Sequence, residues 1–426
     1  MAKYEQIVWK RDVPLRYEAD VAVLGGGMAG VSAACAAARS GAKVILIERF
    51  AVTGGNATTG GVAAFCGETA GQGEVFDRII SDLEQFQAVA PYVPYPQADH
   101  RLFDHEILAV VLQELLLRHN VKLLLHTQLV DAAVSDDGLI KEIIVSGKSG
   151  PEALRAKQYI DCTGEAQAAH LAGFATMKGR PGDGVQLPMS LMFFVRHVQE
   201  EQQVKQVPEG WFRAIRDKDD MPMTTKWPNG PGSNAIKLKI PMFDATDTES
   251  ATAAEIQARR RMMEVLDYYQ RVENRPWLLD HCSPQIGIRE GRRIVGDYML
   301  TVDDLRAARK FDDAIARGVY YLDAHKPDDD KRTYVLDKKE LKVPPYQLPL
   351  RSLIVKDAKN LLAAGRCLSA DQLALSSARV MTTCSMMGQA AGVAAAESVR
   401  QKCNPRDLDH MAIRKNVEKR GANLEV

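Results

Sequence analysis

One stretch near the start of the chain constrains the fold more than any other. An apolar run at residues 21–24 leads into Gly25-Gly-Gly-Met-Ala-Gly30, and small residues continue to Gly41. A second apolar run, 44–47, ends in Glu48. In such a unit the first glycine allows a tight turn, the second lets the backbone approach a pyrophosphate, and the third lets the helix lie close to the strand. An acid about 20 residues on accepts from ribose hydroxyls. The stretch therefore predicts a strand–helix–strand unit that binds a dinucleotide.

Charge and cysteine usage narrow the class of protein. The 55 basic and 55 acidic side chains cancel, which favours neither nucleic acid nor an anionic membrane as partner. No apolar run reaches the roughly 18 residues of a membrane span, and the first residues contain no signal-peptide core. The 7 cysteines are scattered and include no CxxC pair. We expect a protein of the reducing cytoplasm.

The pattern along the chain predicts a divided first domain. Residues 1–172 alternate strand and helix signals, which predicts an α/β domain. From 173 to 345 prolines, aromatics and a long charged helix (about 249–273) replace them, and we interpret this segment as an inserted α+β domain that covers a site on the first. The chain returns to the first domain in 346–426. Within the first part we predict helices at 74–90 and 101–119, a hairpin of strands 128–135 and 139–146, and a strand at 154–160.

Two loops follow strand ends, where α/β sheets bind ligands. Gly54-Gly-Asn-Ala-Thr-Thr-Gly-Gly61 is too rich in glycine for regular structure, and its amides are placed to reach phosphate or flavin. Asp161-Cys-Thr-Gly-Glu165 similarly brings backbone close to a ligand. The alternatives are a flexible connector for the first loop and an ordinary turn for the second.

The C-terminal segment combines a strand with a helix of small residues. Asn360-Leu-Leu-Ala-Ala-Gly-Arg366 reads as a strand that stops at a glycine. Further on, Gly388, Gly392 and Ala396 lie four apart on one helix face. Since the segment is short and flanked by charge, this spacing indicates close helix–sheet packing and not membrane dimerisation.

These motifs together resemble FAD-dependent oxidoreductases. The chain resembles the fumarate reductase and succinate dehydrogenase flavoprotein superfamily, with its glutathione-reductase-type FAD domain, and more narrowly a bacterial FAD-dependent oxidoreductase family. Besides the stretches above, the matching pieces are Ile288-Arg-Glu-Gly-Arg-Arg-Ile294, Arg379-Val-Met-Thr-Thr-Cys384 and Gly388-Gln-Ala-Ala-Gly392. The resemblance implies a Rossmann-like FAD-binding domain with an inserted α+β substrate or cap domain.

The resemblance also implies which residues hold FAD. The ADP part would lie on 25–30 and Glu48, the isoalloxazine near 54–58, and a second flavin contact at the turn from Arg379 to a helix after Thr383. A helix N-terminus there would stabilise anionic reduced flavin. The residues expected to bind the cofactor are Gly25, Gly27, Met28, Ala29, Gly30, Glu48, Arg49, Gly54, Gly55, Asn56, Ala57, Thr58, Val130, Thr163, Gly164, Gly365, Arg366, Val380 and Met381.

Two departures from known relatives shape the expected cofactor chemistry. Residues 53–61 contain no histidine to carry covalent flavin, so we expect non-covalent FAD. The chain has one GxGxxG, which argues against a second Rossmann domain for NAD(P)H, so the electron acceptor is unknown.

Candidate catalytic residues lie in the insertion and beside the C-terminal turn. Arg289 and Arg379 are candidates for binding an anionic group, and Tyr298 for donating a proton. The alternatives are a structural ion-pair cluster of Glu290, Arg292 and Arg293 for this segment, and a buried tyrosine tethered by its hydroxyl for Tyr298. His100, His105 and His281 are further possible bases, whereas Cys66 and Cys384 are interpreted as packing residues. No residues have metal-ligand spacing.

The residues and the resemblance together predict the function. We expect an FAD-dependent dehydrogenase or reductase that transfers a hydride between flavin N5 and a small organic substrate, and the two arginine candidates favour an anionic one. The alternatives are an NAD(P)-dependent dehydrogenase, an RNA-modifying flavoprotein and a non-catalytic FAD-binding protein.

Overall fold

The computed structural model describes residues 7–8, 10–199 and 204–426. Its strands are β1 (Leu15–Leu24), β2 (Val44–Ile47), β3 (Ala64–Cys66), β4 (His100–Leu102), β5 (Lys122–Leu124), β6 (Gln128–Val134), β7 (Ile140–Gly147), β8 (Gly150–Asp161), β9 (Thr176–Lys178), β10 (Met189–His197), β11 (Thr224–Pro228), β12 (Ser233–Ile240), β13 (Trp277–Cys282), β14 (Arg292–Ile294), β15 (Ala314–Gly318), β16 (Tyr346–Pro349) and β17 (Leu361–Ala363). Its helices are α1 (Met28–Arg39), α2 (Glu74–Gln85), α3 (His105–Arg118), α4 (Gln167–Leu171), α5 (Thr248–Arg271), α6 (Val302–Arg306), α7 (Gln372–Ala378), α8 (Met381–Gln401) and α9 (His410–Lys419).

The main sheet has the order β5-β2-β1-β8-β7-β6, and β17 also pairs with β8. Strands β5, β2, β1, β8 and β17 run parallel, whereas β7 and β6 are antiparallel. Because a parallel sheet is covered on both faces, its inner strand β2 is apolar throughout, as the fully buried Val44–Ile47 shows. The carboxyl ends of the five parallel strands meet at one edge, as the predicted α/β fold requires.

Helices α1 and α8 cover one face of this sheet in close contact. Almost all of α1 is alanine, glycine or another small residue, and its first ten residues are buried. A Cβ at Gly388 would lie 2.0 Å from the Ala29 carbonyl oxygen, and one at Gly392 would lie 2.2 Å from that of Ala33. Close packing at these glycines is confirmed, but the predicted partner was wrong: the surface that they approach is helix α1 and not the sheet.

A second sheet, β11-β12-β10-β13, is wholly antiparallel and lies within the predicted insertion. One face of it packs with α5 in a separate hydrophobic cluster that includes Leu191, Phe193 and Leu238. Side chains alternate along a strand, so the other face carries Ser190 and Phe194. The predicted charged helix is α5, which begins one residue before and ends two residues before the predicted limits.

Several predicted element limits were wrong. The helix predicted at 101–119 begins at His105, where Asp104 caps it by accepting from the amides of Glu106 and Ile107, and His100–Leu102 pairs instead with β3. The helix predicted at 74–90 ends at Gln85, and Gln87 has a φ of 54°, which breaks the helix. The C-terminal helix begins at Met381 and not after Thr383. The 128–135 and 139–146 hairpin is confirmed.

The limits of the inserted domain stay a prediction. Strands β10–β13 and α5 have their own hydrophobic cluster, whereas Leu300, Leu305 and Leu341 belong to the cluster around α1 and α8. Among the residues that the structure describes, every helix is too short or too polar to cross a lipid bilayer.

Candidate active site

A cavity of about 740 Å³ opens at the carboxyl ends of the parallel strands. Residues that follow β1, β2, β8 and β17 form its floor, and the N-terminal part of α5 with the segment 284–288 forms the opposite wall. The main domain and the predicted insertion therefore both contribute to the site.

Most residues expected to hold a cofactor line this cavity. Those that do are Gly25, Gly27, Met28, Ala29, Glu48, Arg49, Gly54, Gly55, Asn56, Ala57, Thr163, Gly164, Gly365, Arg366 and Met381, together with the candidate Arg379. Lining residues that the sequence reasoning missed include Gln128, Leu129, Thr248, Thr252 and Glu255, and Arg292 of the predicted ion-pair cluster also lines the cavity. No sequence motif marked the α5 residues, which were predicted only as part of a charged helix.

The first glycine turn leaves room for a ligand at Gly27. A Cβ at Gly27 would meet no atom of the described residues within 4 Å, and its φ of −66° is one that any residue can adopt. Gly27 is the N-cap of α1 and no side chain caps the helix. Free amides and the positive end of the helix dipole therefore face the cavity, which suits a phosphate group.

Glu48 is buried beside this turn and is held by backbone amides. One carboxylate oxygen accepts from Gly26 N at 2.7 Å and the other from Phe50 N at 3.0 Å. Each oxygen retains a further lone pair. The carboxylate is thus fixed at the cavity wall with acceptor capacity for hydroxyl groups.

The other end of the cavity is built on β17 and α8. Gly365 follows β17 with a φ of 94°, and α8 begins at Met381 without a side-chain cap. Arg366 is buried and lies 3.7 Å from Glu165. Burial lowers the pKa of Arg366, and Glu165 opposes this shift. A second helix N-terminus and an arginine therefore meet at this end.

Several buried polar atoms lining the cavity have no hydrogen-bond partner among the described residues. They are Glu165 Oε1, Gln285 Oε1, Arg366 Nη1 and Arg379 Nε. Buried polar groups are nearly always hydrogen-bonded in folded proteins. Together with the room at Gly27 and the two uncapped helices, these atoms fit a bound dinucleotide that carries both anionic and hydrogen-bonding groups.

Six predicted residues do not line the cavity, and one of them, Arg289, belongs to the charged cluster described below. Gly30 lies beneath the turn, where a Cβ would be 1.9 Å from Gly25 O. Thr58 donates to Thr53 O at 2.7 Å, and Val380 is the N-cap of α8. Val130 is 40% exposed on β6, next to the lining residue Leu129. The hydroxyl of Tyr298 donates to Asp304 at 2.9 Å, so the alternative of a tyrosine tethered by its hydroxyl holds.

The arginine-rich segment divides into two groups. Glu290 and Arg293 form a buried structural ion pair at 3.4 Å, and Glu290 also accepts from Leu187 N and Gln372. Arg289 is buried separately and donates to Pro188 O at 2.8 Å and Ser190 Oγ at 2.6 Å. The predicted ion-pair cluster therefore holds for Glu290 and Arg293, whereas Arg292 donates to Thr246 O at 3.2 Å and Arg289 lies apart.

Arg289 belongs to a buried charged cluster with Lys237, Asp323, His325 and Arg379. Arg379 donates to Asp323 Oδ2 at 2.9 Å, and His325 Nε2 lies 2.9 Å from Asp323 Oδ1. Burial alone would raise the pKa of Asp323, but His325, Arg379 and Arg289 hold it well below its usual range. Burial lowers the pKa of Arg289 to about 10, so it stays charged at neutral pH.

The cluster has more positive than negative charge. Burial and Arg289 lower the pKa of Lys237, and Asp323 is the carboxylate bonded to Arg379. Since Arg379 also lines the cavity, the excess positive charge lies beside the end formed by α8. The sequence reasoning missed Asp323 and His325 because two residues spaced by one match no local motif.

The other candidate residues lie in packing roles. Phe194 stacks between the rings of His105 and His281, with centroids 5.1 and 4.3 Å away. All 7 cysteines are free thiols, and burial raises the pKa of Cys66 and of Cys384. Within the described ranges no group of histidines, cysteines and carboxylates could hold a metal ion.

Comparison with known proteins identifies the family of the chain. A family described as FAD dependent oxidoreductase matches residues 20–417. Among curated proteins, no sequence matches the chain.

Two solved structures resemble the chain at low identity. BexE, studied for oxidation during BE-7585A biosynthesis, is 15% identical with a TM-score of 0.50, covering 90% of this chain. The match spans 63% of BexE. The p-nitrophenol 4-monooxygenase PnpA from Pseudomonas putida DLL-E4 is 14% identical with a TM-score of 0.50, covering 96% of this chain and 87% of PnpA. These likenesses concern the fold alone. From the family match, the chain belongs to the FAD dependent oxidoreductase family, and it is an enzyme with FAD as its cofactor.

Proposed function

We propose that this enzyme transfers a hydride between FAD and a small organic anion, and that Arg379 and Arg289 hold the anion. The observation that carries the proposal is the excess of buried positive charge beside the end of the cavity formed by α8. The resemblance to fumarate reductase and succinate dehydrogenase flavoproteins is consistent with it. The proposal gives the substrate as a class, a small organic anion, and assigns no electron acceptor.

The lining residues fit FAD in one orientation. The amides at the start of α1 would hold the pyrophosphate, and Glu48 would accept from the ribose. The loop 54–58, Gly365 and the start of α8 would surround the isoalloxazine. A bound flavin supplies the ability to accept and return a hydride. Because 53–61 contains no histidine, we expect the cofactor to be held without a covalent bond.

The arginines would bind and orient the substrate. A guanidinium offers two parallel donors to a carboxylate, so it fixes the direction of the group as well as its charge. Arg379 uses one nitrogen on Asp323, and its Nε has no partner among the described residues. Arg289 donates to two uncharged oxygens and has no carboxylate bonded to it there. Both therefore retain capacity for an anion.

The cost of burying charge supports an anionic substrate. Moving an unpaired charge out of water is costly unless an opposite charge or hydrogen bonds offset it. Three cationic side chains, Lys237, Arg289 and Arg379, share the neighbourhood of Asp323. An anion beside Arg289 would offset part of this penalty. A neutral substrate would leave it in place.

The position of Arg289 is fixed by the loop that contacts the cofactor site. The side-chain amide of Asn56 donates at 2.9 Å to the carbonyl oxygen of Ile288, the residue before Arg289. Asn56 also lines the cavity. A substrate held by Arg289 would thus have a defined position relative to the flavin.

The test begins with the visible spectrum of the purified enzyme. We expect a yellow protein that releases FAD on denaturation and whose flavin spectrum changes on titration with acetate or malonate. Arg379→Gln and Arg289→Gln should weaken this binding at least about tenfold, the loss of one charged hydrogen-bonding partner. Arg400→Gln, at an exposed arginine on α8, is the matched control and should bind as the wild type does.

Anaerobic titration with small hydroxy and amino acids then tests the reaction. Bleaching by one class of carboxylate would support hydride transfer. No spectral response to any anion or donor would overturn the proposal, as would oxygen-dependent hydroxylation of an organic substrate by the reduced enzyme.

A further inference from the structure

Asp323 and His325 form a buried pair that no sequence motif marked. They follow β15 in an irregular segment, and only 1% of the His325 surface is exposed. Their position beside Arg379 points to a chemical role. This role rests on the function proposed above.

One carboxylate joins His325 to the cavity. Asp323 Oδ1 lies 2.9 Å from His325 Nε2, and Asp323 Oδ2 accepts from Arg379 Nη2 at 2.9 Å. Arg379 lines the cavity beside the start of α8. Asp323 therefore fixes both the arginine that would bind substrate and the imidazole next to it.

The geometry decides which ring nitrogen carries the proton. An ionised carboxylate only accepts hydrogen bonds, so His325 Nε2 must be the protonated nitrogen of the neutral ring. The lone pair is then on Nδ1, which is buried and has no partner among the described residues. A buried acceptor without a partner is unusual in a folded protein. It is the arrangement expected of a base whose partner is a substrate.

The groups around His325 keep it neutral. Burial and then the charge of Arg289 lower its pKa to about 4, against the opposing effect of Asp323, and Lys237 lowers it further. The ring of Tyr334 lies 5.4 Å away, with Tyr321 behind it. Burial raises the pKa of both tyrosines, which are therefore protonated at neutral and acid pH.

We propose that His325, oriented by Asp323, takes the proton that the substrate loses when its hydride is transferred. A substrate C–H bond breaks and both its electrons leave with the hydrogen as hydride, for which oxidised flavin is the acceptor. The neighbouring O–H or N–H bond releases its proton to Nδ1, and a double bond forms between the two substrate atoms. His325 becomes a cation beside Asp323, which stabilises it. In the reverse direction His325 returns the proton.

An anionic substrate would make His325 a better base. Its negative charge would oppose that of Arg289, which is among the causes that lower the pKa of His325. Binding should therefore raise this pKa, and a group whose pKa rises on binding takes up protons at any pH between the two values. At pH 5 the enzyme should take up protons when it binds an anion.

Two measurements on the holoenzyme test this role. The first is calorimetry at pH 5, in two buffers of different ionisation enthalpy, of the binding of trifluoroacetate, a carboxylate that is fully ionised at this pH. We expect proton uptake by the wild type and by the control His100→Gln, at an exposed histidine, and none by His325→Gln. The second is flavin reduction by the substrate class that bleaches the wild type. Here His325→Gln should retain FAD and anion binding but slow at least about 100-fold, the usual contribution of a general base.

Asp323→Asn adds a readout specific to positioning. An amide can donate to Nε2, which would move the ring proton to Nδ1 and remove the base. We expect slow flavin reduction whose dependence on pH differs from that of the wild type. Anion binding without proton uptake in the wild type would overturn the role of His325. So would an unchanged reduction rate in His325→Gln. If no anion binds to the wild type, the proposed function itself fails.

Discussion

At the scale of single residues, the three glycines of the first turn have different physical roles. Gly25 has a φ of 101° and lies against the Cys162 carbonyl oxygen, where a Cβ would be 2.6 Å away. Gly30 lies against Gly25. Gly27 has ordinary backbone angles, and no atom of the described residues lies near its missing side chain. The first two glycines are thus required by the fold, whereas for Gly27 we propose that the reason is contact with the cofactor.

This difference predicts opposite effects of two alanine substitutions. Gly27→Ala should leave the thermal stability of the apoprotein unchanged or slightly higher, but should weaken FAD binding at least about tenfold because its methyl group occupies the space of the pyrophosphate. Gly30→Ala should lower the stability of the apoprotein by about 1–3 kcal/mol, the usual cost of overpacking. Thermal unfolding and fluorescence titration with FAD measure the two effects. Equal stability of the two variants would contradict this assignment.

At the scale of secondary-structure elements, the contact between α1 and α8 organises the core. Besides the contacts at Gly388 and Gly392, the hydroxyls of Ser32 and Ser385 lie 2.6 Å apart across the interface. Both helices begin at the cavity, at Met28 and Met381. Close packing therefore fixes the distance between the two helix N-termini that would face the ends of the cofactor.

Gly388→Ala tests this contact. Glycine to alanine inside an exposed helix normally stabilises it by about 0.5–1 kcal/mol. Here the methyl group would meet the Ala29 carbonyl oxygen, so we expect a loss of about 1–3 kcal/mol instead. Denaturant unfolding measures the change, with Arg400→Ala near the exposed end of the same helix as control. A stabilised Gly388→Ala variant would show that the helices can separate without cost.

At the scale of the whole molecule, the cavity lies between the parallel sheet and the predicted insertion. Thr248, Thr252 and Glu255, on one face of α5, line its outer wall. The helix is thus placed to cover a bound cofactor and to limit its exchange with solvent. Its position follows from the packing of α5 on the antiparallel sheet through residues such as Ala254 and Ala258.

A bulky residue on the cavity side of α5 should hinder the cofactor. Thr252→Trp should lower the affinity for FAD and slow its uptake by the apoprotein, because the indole would occupy the outer part of the cavity. Ala253→Trp, at the exposed neighbouring position outside the lining, is the matched control. Stopped-flow fluorescence of FAD binding measures both. Equal rates in the two variants would place the cofactor away from α5.

Local patterns predicted most of the cofactor side of the cavity. The glycine turn, Glu48 and Gly365 each lie next to a strand end, so their neighbours in sequence already define their environment. The predicted start of the helix at 101–119 was wrong because the apolar spacing continues on the N-terminal side of Asp104. Asp104 caps the helix and β4 pairs with β3, so the helix begins later than the spacing predicts.

The substrate side depended on long-range contacts. The sequence left open whether the arginine-rich segment is structural or functional. Only the tertiary structure separates Arg289 from the Glu290–Arg293 ion pair. Tyr298 shows the opposite outcome, since Asp304 and Arg309 hold its hydroxyl.

The sequence by itself determined the α/β class and the glycine turn, because each depends on residues a few positions apart with fixed backbone requirements, and the family resemblance then indicated FAD. Only the tertiary structure brought the Asp323–His325 pair to Arg379, since the pair and the arginine lie on separate segments of the chain. Burial then changes their chemistry: it lowers the pKa of His325 to about 4 and leaves Nδ1 without a partner among the described residues. Both effects depend on what surrounds a side chain in space, which no local spacing records.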